Sequence, residues 1–129
     1  MDHEDLDVYN AALDFVSFAR DAIKRMPGGR RGLDDQLMRA ATSMPLNIAE
    51  GAGEFSAKDK ARFYRMARRS ATESAAALDV TVRLGLAHES EVQPGRDLLR
   101  RIVAMLTKMV LGLEKTRQAA LPAPTARPS

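Results

Sequence analysis

The side chains best suited to chemistry in this sequence are basic ones, at a spacing that suits the binding of phosphate groups. Four bases recur four, three and four residues apart: Lys58, Arg62, Arg65 and Arg69. At 100° per helical residue they lie within about 60° of one another, and we call them the basic stripe. Because arginine makes bidentate contacts with phosphate, the stripe is a candidate nucleic-acid surface. Four more arginines are candidates to extend it: Arg30, Arg31, Arg100 and Arg101.

Charge is unevenly distributed along the chain, although 20 Lys and Arg against 17 Asp and Glu leave a net charge of only +3. Residues 1–19 hold five acids and no Lys or Arg, whereas residues 58–69 hold six bases and one acid. The pattern does not interleave these bases with aromatic residues expected to be exposed, so we expect contacts with a nucleic-acid backbone rather than stacking on bases. The alternative is a solvated helix face without a partner.

A second group of polar residues surrounds a proline in a predicted helix. Pro45 lacks an N–H and its ring presses on the carbonyl of Ala41, so we expect a kink or break between Thr42 and Pro45. Asn47 and Glu50 lie three residues apart on one face and can bond the freed backbone groups. A structural polar network between two helices is one interpretation, and direct ligand contact is the other.

Several kinds of catalytic or metal site are excluded by the residue types. The chain has no Cys, so a disulfide, a thiolate metal site and a cysteine nucleophile are all excluded. His3 and His88 are isolated, and no Glu-x-x-His motif for a di-iron bundle occurs. The Gly-rich stretch 28–32 lacks the Gly-Lys-Ser/Thr of a phosphate-binding loop, which favours a helix-ending turn. We therefore expect no enzymatic activity, no cofactor and no metal.

The apolar periodicity predicts an all-α chain that positions these residues on four helices. The predicted helices cover about Leu6–Met26, Leu33–Gly53, Ala57–Gly85 with Ser56 as N-cap, and Ser90–Lys115. Short connections favour an antiparallel up-down-up-down four-helix bundle over residues 1–117. Residues 118–129 contain three prolines, and we expect a disordered tail there.

The distribution of apolar residues also predicts assembly. The apolar faces of helices 1 and 4 are wider than two neighbours in one small bundle would cover, so we expect a homo-oligomer. No apolar run approaches the roughly 20 residues of a membrane span, and the acidic start lacks the order of a signal peptide. We therefore expect a cytoplasmic protein with no membrane partner.

Three stretches of the sequence match the patterns of one known family. Residues 43–51 are Ser-Met-Pro-Leu-Asn-Ile-Ala-Glu-Gly, residues 5–9 are Asp-Leu-Asp-Val-Tyr, and residues 67–78 contain Ala-Arg-Arg-Ser-x-x-Glu-x-x-x-x-Leu. They resemble Ser-Ile-Pro-Ser-Asn-Ile-Ala-Glu-Gly, Asp-Leu-x-Val-Trp and Ala-Arg-Gly-Ser-x-x-Glu-x-x-x-x-Leu of the bacterial four-helix bundle proteins of the 23S rRNA intervening-sequence (S23) type. Departures from the family include Met44, Leu46, Arg69 in place of Gly, and Ala77 in place of Gln.

The resemblance implies a ring-forming bundle, commonly a homopentamer, with no attached enzymatic activity. A related accessory protein of diversity-generating retroelements is a basic pentameric barrel that binds a reverse transcriptase and nucleic acid. We expect the residues matching the family patterns to form a structural network: Ser43, Pro45, Asn47, Glu50, Gly51, Arg68, Ser70 and Glu73. The leading hypothesis is a non-enzymatic ring that binds structured RNA or DNA through the basic stripe. The alternative is a protein-interaction scaffold, for example for a reverse transcriptase.

Overall fold

Four helices make up the part of the chain that the computed structural model describes, residues 1–28 and 31–121. They are α1 (His3–Arg25), α2 (Arg31–Gly53), α3 (Ala57–Arg83) and α4 (Glu89–Ala120). The described ranges contain no strand, and the prediction of four helices is confirmed. α4 ends at Ala120, about five residues beyond the helix end expected near Lys115. The rest of the expected tail, from residue 122, lies outside the described residues.

The helix ends follow from capping groups that the sequence supplies. The Asp2 carboxylate accepts a hydrogen bond from the Asp5 backbone N–H (2.8 Å), and the Ser56 hydroxyl accepts one from the Asp59 N–H (3.1 Å). These bonds satisfy N–H groups that the first turn of a helix leaves without partners. At the other end of α3, Gly85 has φ +73°, and the Leu86 N–H reaches back to the Thr81 carbonyl (3.0 Å). This left-handed glycine turns the chain towards α4.

Each helix packs against two others. α1 contacts α2 and α4, and α3 contacts the same two helices, so α1 and α3 occupy diagonal corners. The centre is filled by large side chains that are almost completely buried: Phe15, Leu37, Met44, Ile48, Tyr64, Leu78, Ile102 and Leu106. Two ion pairs connect α3 to α4, joining Arg65 to Glu114 and Asp79 to Arg96.

The proline in α2 does not interrupt the helix. α2 is continuous from Arg31 to Gly53, so the break expected between Thr42 and Pro45 is absent. Pro45 is itself buried, and the adjacent Met44 and Ile48 are completely buried. Burying such side chains stabilises by about 1.5–3 kcal/mol each, so together they offset the roughly 3 kcal/mol that a proline inside a helix costs through its missing N–H and its ring clash. Packing therefore holds the helix together across the missing N–H.

Packing within one chain covers most of the apolar surface of α1 and α4. Several residues that we expected to need an oligomeric partner pack partly buried on the core: Val16, Ile23, Leu98, Val103 and Met105. Leu6, Leu13 and Leu111 remain 40–54 % exposed. Of the helices that the structure describes, none combines the length and the apolar character required to cross a bilayer.

Candidate nucleic-acid interface

The basic stripe lies on the outer side of α3. All four of its side chains are exposed: Lys58, Arg62, Arg65 and Arg69. The opposite side of α3 carries small residues that are buried against neighbouring helices: Ala67, Ser70, Ser74, Ala77 and Thr81. α3 therefore has a packed side of small residues and an outward basic side.

The stripe residues differ in how their charges are balanced within the chain. The Arg65 guanidinium lies 3.2 Å from the Glu114 carboxylate, and both side chains are about half exposed. The guanidinium carbon of Arg62 lies 4.5 Å from the centre of the Phe63 ring, a cation–π contact. Neither Lys58 nor Arg69 has an ion-pair partner within 4 Å in the described ranges. Exposed ion pairs are weak, so the whole stripe remains available to an external anion.

One further base, which the sequence argument missed, joins the stripe at the end of the bundle. Arg117 lines a groove of about 330 Å³ between the start of α3 and the end of α4, together with Lys58 and Arg65. Glu114 lines the same groove. The expected antiparallel arrangement of the helices would bring the last turns of α4 beside the first turn of α3, so the sequence held a signal for this residue. The groove holds three bases against one acid.

The arginines proposed to extend the stripe occupy different places. Arg100 lines a groove between α3 and α4 of about 340 Å³, next to Thr72 of α3. Arg101 is exposed and, as the next residue along the helix, is turned about 100° away from Arg100. Only Arg100 therefore adjoins α3. Arg31 is the first residue of α2, but its side chain and the whole of Arg30 lie outside the described residues.

Exposed acidic side chains lie in the first half of α1, the helix diagonal to α3: Glu4, Asp7 and Asp14. The end of the same helix carries exposed bases: Arg20, Lys24 and Arg25. The helix diagonal to the basic stripe therefore carries both signs of charge.

A polar network joins α2 to α3 as the sequence predicted, with fewer members. The Ser70 hydroxyl donates to the Ser43 hydroxyl (2.8 Å), linking the two helices. The Asn47 amide donates to the carbonyl oxygen (2.9 Å) and hydroxyl oxygen (3.0 Å) of Ser43. Asn47 thus bonds a backbone carbonyl one turn earlier, although not the Ala41 carbonyl that Pro45 leaves without its usual donor.

Three residues expected in this network are elsewhere. Glu50 and Glu73 are exposed, and no hydrogen bond or ion pair connects either to the described residues. Arg68 donates to the Thr107 hydroxyl (3.2 Å), so it connects α3 to α4 rather than to α2. Helical spacing predicts the side of the helix on which each of these three residues lies. It does not predict whether the neighbouring helix supplies a hydrogen-bond partner there, which a network requires.

Gly51, the last residue of the family signature, has a packing role that the sequence did not reveal. A Cβ atom at Gly51 would lie 2.6 Å from Cε1 of Tyr64, much closer than van der Waals contact. Tyr64 is 2 % exposed, and its hydroxyl donates a 2.6 Å hydrogen bond to the Asp5 carboxylate. The missing side chain of Gly51 therefore allows the Tyr64 ring to cross the bundle diagonal from α3 to α1.

The Tyr64 phenol is held in its neutral form. Burial raises the pKa of Tyr64 well above its ordinary value of 10.0, and the hydrogen bond to Asp5 raises it further. A phenol in this state neither gains nor loses a proton near neutral pH, so the Asp5–Tyr64 pair is suited to a structural role. Nearby, the Lys60 ammonium donates to the carbonyls of Gly51 (3.3 Å) and Ala52 (3.2 Å) at the end of α2. This contact neutralises the negative end of the helix dipole.

Comparison with known proteins adds a family and a fold. The family model described as 23S rRNA-intervening sequence protein matches residues 4–108. A crystal structure from Bacteroides thetaiotaomicron, described as a protein with unknown function from the S23 ribosomal protein family, is similar with a TM-score of 0.77. It is 19 % identical, and the match covers 84 % of this chain and 98 % of that one, which establishes the fold. No curated protein matches this chain.

Proposed function

This chain belongs to the 23S rRNA-intervening sequence protein family, and from that premise we propose that it is a non-enzymatic nucleic-acid-binding bundle. The basic stripe contacts the phosphate backbone of structured RNA or DNA. The observation that carries the proposal is the outward position of Lys58, Arg62, Arg65 and Arg69 on a single helix face. Arg117 and Arg100 add charge at the α3–α4 grooves beside it.

Assembly into a ring of antiparallel bundles is part of the proposal. The ion pairs joining the start of α3 to the end of α4, and the reverse, support the antiparallel arrangement. Exposed apolar residues support self-association: Leu46 is 66 % exposed, and Met66 is 41 % exposed. Leu46 lies one turn from Ser43 on α2, and Met66 lies one turn from Ser70 on α3. Because Ser43 and Ser70 are in contact, Leu46 and Met66 border the same side of the α2–α3 pair. Native mass spectrometry is expected to give about 70 kDa, five copies of the 14.1 kDa chain.

The stripe is tested by fluorescence anisotropy with a structured RNA and a duplex DNA over a salt series. The triple variant Arg62→Ser, Arg65→Ser and Arg69→Ser is expected to bind at least tenfold more weakly than the wild type. Each lost phosphate contact changes the slope of log affinity against log salt by about 0.9 on duplex DNA. Loss of three contacts in the triple variant is therefore expected to make the slope of log affinity against log salt on duplex DNA shallower by roughly 2.7 for each stripe that contacts the DNA.

The matched control removes three exposed bases from α1: Arg20→Ser, Lys24→Ser and Arg25→Ser. It lowers the net charge equally but leaves α3 intact, and we expect it to keep wild-type affinity within about twofold. Equal losses in both triple variants would mean that net charge alone attracts the nucleic acid. Wild-type affinity in the triple variant of Arg62, Arg65 and Arg69 would show that the basic stripe does not contact the nucleic acid.

The ion pair within the stripe gives a prediction of opposite sign. Glu114→Gln releases Arg65 and removes an acid from the groove, so we expect affinity for duplex DNA to rise by about two- to fivefold, the range of an exposed ion pair. Glu73→Gln is the control, because it removes an exposed acid from α3 without an ion pair to break. Anisotropy at constant salt compares the two, and an equal gain would show that Arg65 was already free to bind.

A scaffold that binds a protein is the second candidate, and the exposed Leu46 and Met66 favour it. Apolar surface next to a basic face suits a partner with both apolar and acidic side chains. A pull-down from host lysate with and without nuclease separates the candidates. A protein retained after nuclease treatment, together with no binding of either nucleic acid at 50 mM salt, would favour the scaffold.

A further inference from the structure

One aromatic ring is completely exposed at the end of the basic stripe. Phe55 is 102 % exposed in the short connection between α2 and α3. A phenylalanine at this position, just before the N-cap Ser56, commonly packs on an apolar residue in the first turns of the helix. Here that position is Lys60, whose ammonium is bonded to the end of α2. The chain therefore gives the Phe55 ring no apolar partner there.

The connection that carries Phe55 is anchored on both sides. The Glu54 N–H donates to the Gly51 carbonyl (3.2 Å), and Ser56 caps α3 through its hydroxyl and its carbonyl. These hydrogen bonds restrict the backbone on both sides of Phe55. Less backbone entropy is therefore lost when the ring binds a partner than would be lost from an unrestrained loop.

Basic and aromatic side chains follow Phe55 in the chain, and these are the kinds of side chain that proteins use to bind single-stranded nucleic acid. Lys58 comes three residues later, and the Arg62 guanidinium lies over the Phe63 ring. Aromatic rings and guanidinium planes both stack on unpaired nucleobases, while neighbouring Lys and Arg side chains contact the phosphates. The sequence predicted backbone contact alone, because it did not identify an exposed aromatic residue beside the stripe.

We propose that Phe55 stacks on an unpaired base of a nucleic acid whose phosphates contact Lys58 and Arg62. This inference rests on the proposed nucleic-acid function and specifies its substrate class: a single-stranded segment, such as a loop or an end. Bases inside a duplex are stacked on one another and offer no free face to the ring. The positive charge of the stripe complements the phosphates on either side of the stacked base.

The chain contains no Trp, so Phe55→Trp introduces a single fluorescent reporter at the site. The variant is titrated with an unpaired 20-mer of thymidine, an abasic 20-mer of equal length and a blunt 20-base-pair duplex, while anisotropy of the labelled strand reports binding. We expect the thymidine strand to quench the tryptophan emission by at least a third and the other two to leave it within a tenth. Binding of the thymidine strand without quenching would overturn the stacking while leaving phosphate contact intact. Absence of binding by all three would overturn both proposals.

Affinity provides a second measurement. Phe55→Ala is expected to weaken binding of the thymidine strand about tenfold and to leave duplex binding unchanged, as one lost base stack predicts. Leu84→Ala, which truncates another exposed apolar side chain at the opposite end of α3, is expected to leave both affinities unchanged. A lower assembly mass for Phe55→Ala in native mass spectrometry would place Phe55 in a contact between copies of the chain and overturn the stacking.

Discussion

Replacing Gly51 with alanine is expected to lower the free energy of unfolding by about 3 kcal/mol. The added methyl group would lie 2.6 Å from the Tyr64 ring, and overpacking of a filled core costs roughly 1–3 kcal/mol. The ring cannot move aside cheaply, because it is 2 % exposed and bonded to Asp5. Displacing it also weakens a hydrogen bond to a charged group, worth about 1.5–3 kcal/mol. Urea unfolding followed by circular dichroism measures the difference.

Gly53→Ala is the matched control for this variant. Gly53 ends the same helix, has no atom within 4 Å of the added Cβ, and does not have a positive φ. Alanine at such a position is expected to be neutral or to stabilise by up to about 1 kcal/mol. If Gly51→Ala unfolded at the same urea concentration as Gly53→Ala, the Tyr64 ring would have to be free to move.

Tyr64→Phe is expected to lower the free energy of unfolding by about 2 kcal/mol at pH 7. The variant keeps the ring against Gly51 but removes the hydroxyl that donates to Asp5 (2.6 Å). The Asp5 side chain, in a residue only 7 % exposed, then loses its donor from α3. Removing one partner of a buried hydrogen bond costs about 1–3 kcal/mol. Urea unfolding at pH 7 checks this value, and a cost below 0.5 kcal/mol would show that water replaces the hydroxyl.

The same residue predicts a loss of stability at alkaline pH. The pKa of Tyr64 is raised in the folded chain above its ordinary value of 10.0, so the unfolded chain releases this proton first. Above pH 10 the unfolded state therefore binds fewer protons, and stability falls as pH rises, by at most about 1.4 kcal/mol per pH unit. Tyr64→Phe is expected to lack this contribution. Tyr9→Phe, which removes the other tyrosine of the chain, is expected to retain it, and equal profiles for Tyr64→Phe and the wild type would contradict the assignment.

The helices could be predicted from the sequence because their determinants are local. Apolar spacing marks the buried face of each helix, and Ser56 lies three residues before Asp59 as an N-cap should. The basic stripe could also be identified, because its residues recur at helical spacing on one face of α3. Asn47 was expected to bond a backbone group near Pro45, and the partner that it has, Ser43, lies one turn away on the same helix.

Contacts between distant residues could not be predicted in this way. Asp5 and Tyr64 are 59 residues apart and meet across the diagonal of the bundle, where neither helix shows a pattern that indicates the other. Gly51 was expected to belong to the structural network, whereas its role is to make room for the Tyr64 ring. Glu50 and Glu73 show the converse, because they match the family patterns yet remain exposed. A single sequence specifies the side of a helix that a residue occupies, whereas its partner depends on how the helices pack.

The bond between Asp5 and Tyr64 also affects how the start of the chain opens. The first turn of a helix normally frays, since few contacts oppose the separation of its backbone groups. In α1 this turn is bonded to α3 through a buried side chain, so it cannot unwind without freeing the Tyr64 ring as well. Opening of the first turn therefore becomes cooperative with opening of the α3 end. The backbone amide protons that follow Asp5 are therefore expected to exchange with solvent as slowly as the first turn of α1 and the neighbouring part of α3 open together. A free helix end would exchange these protons faster.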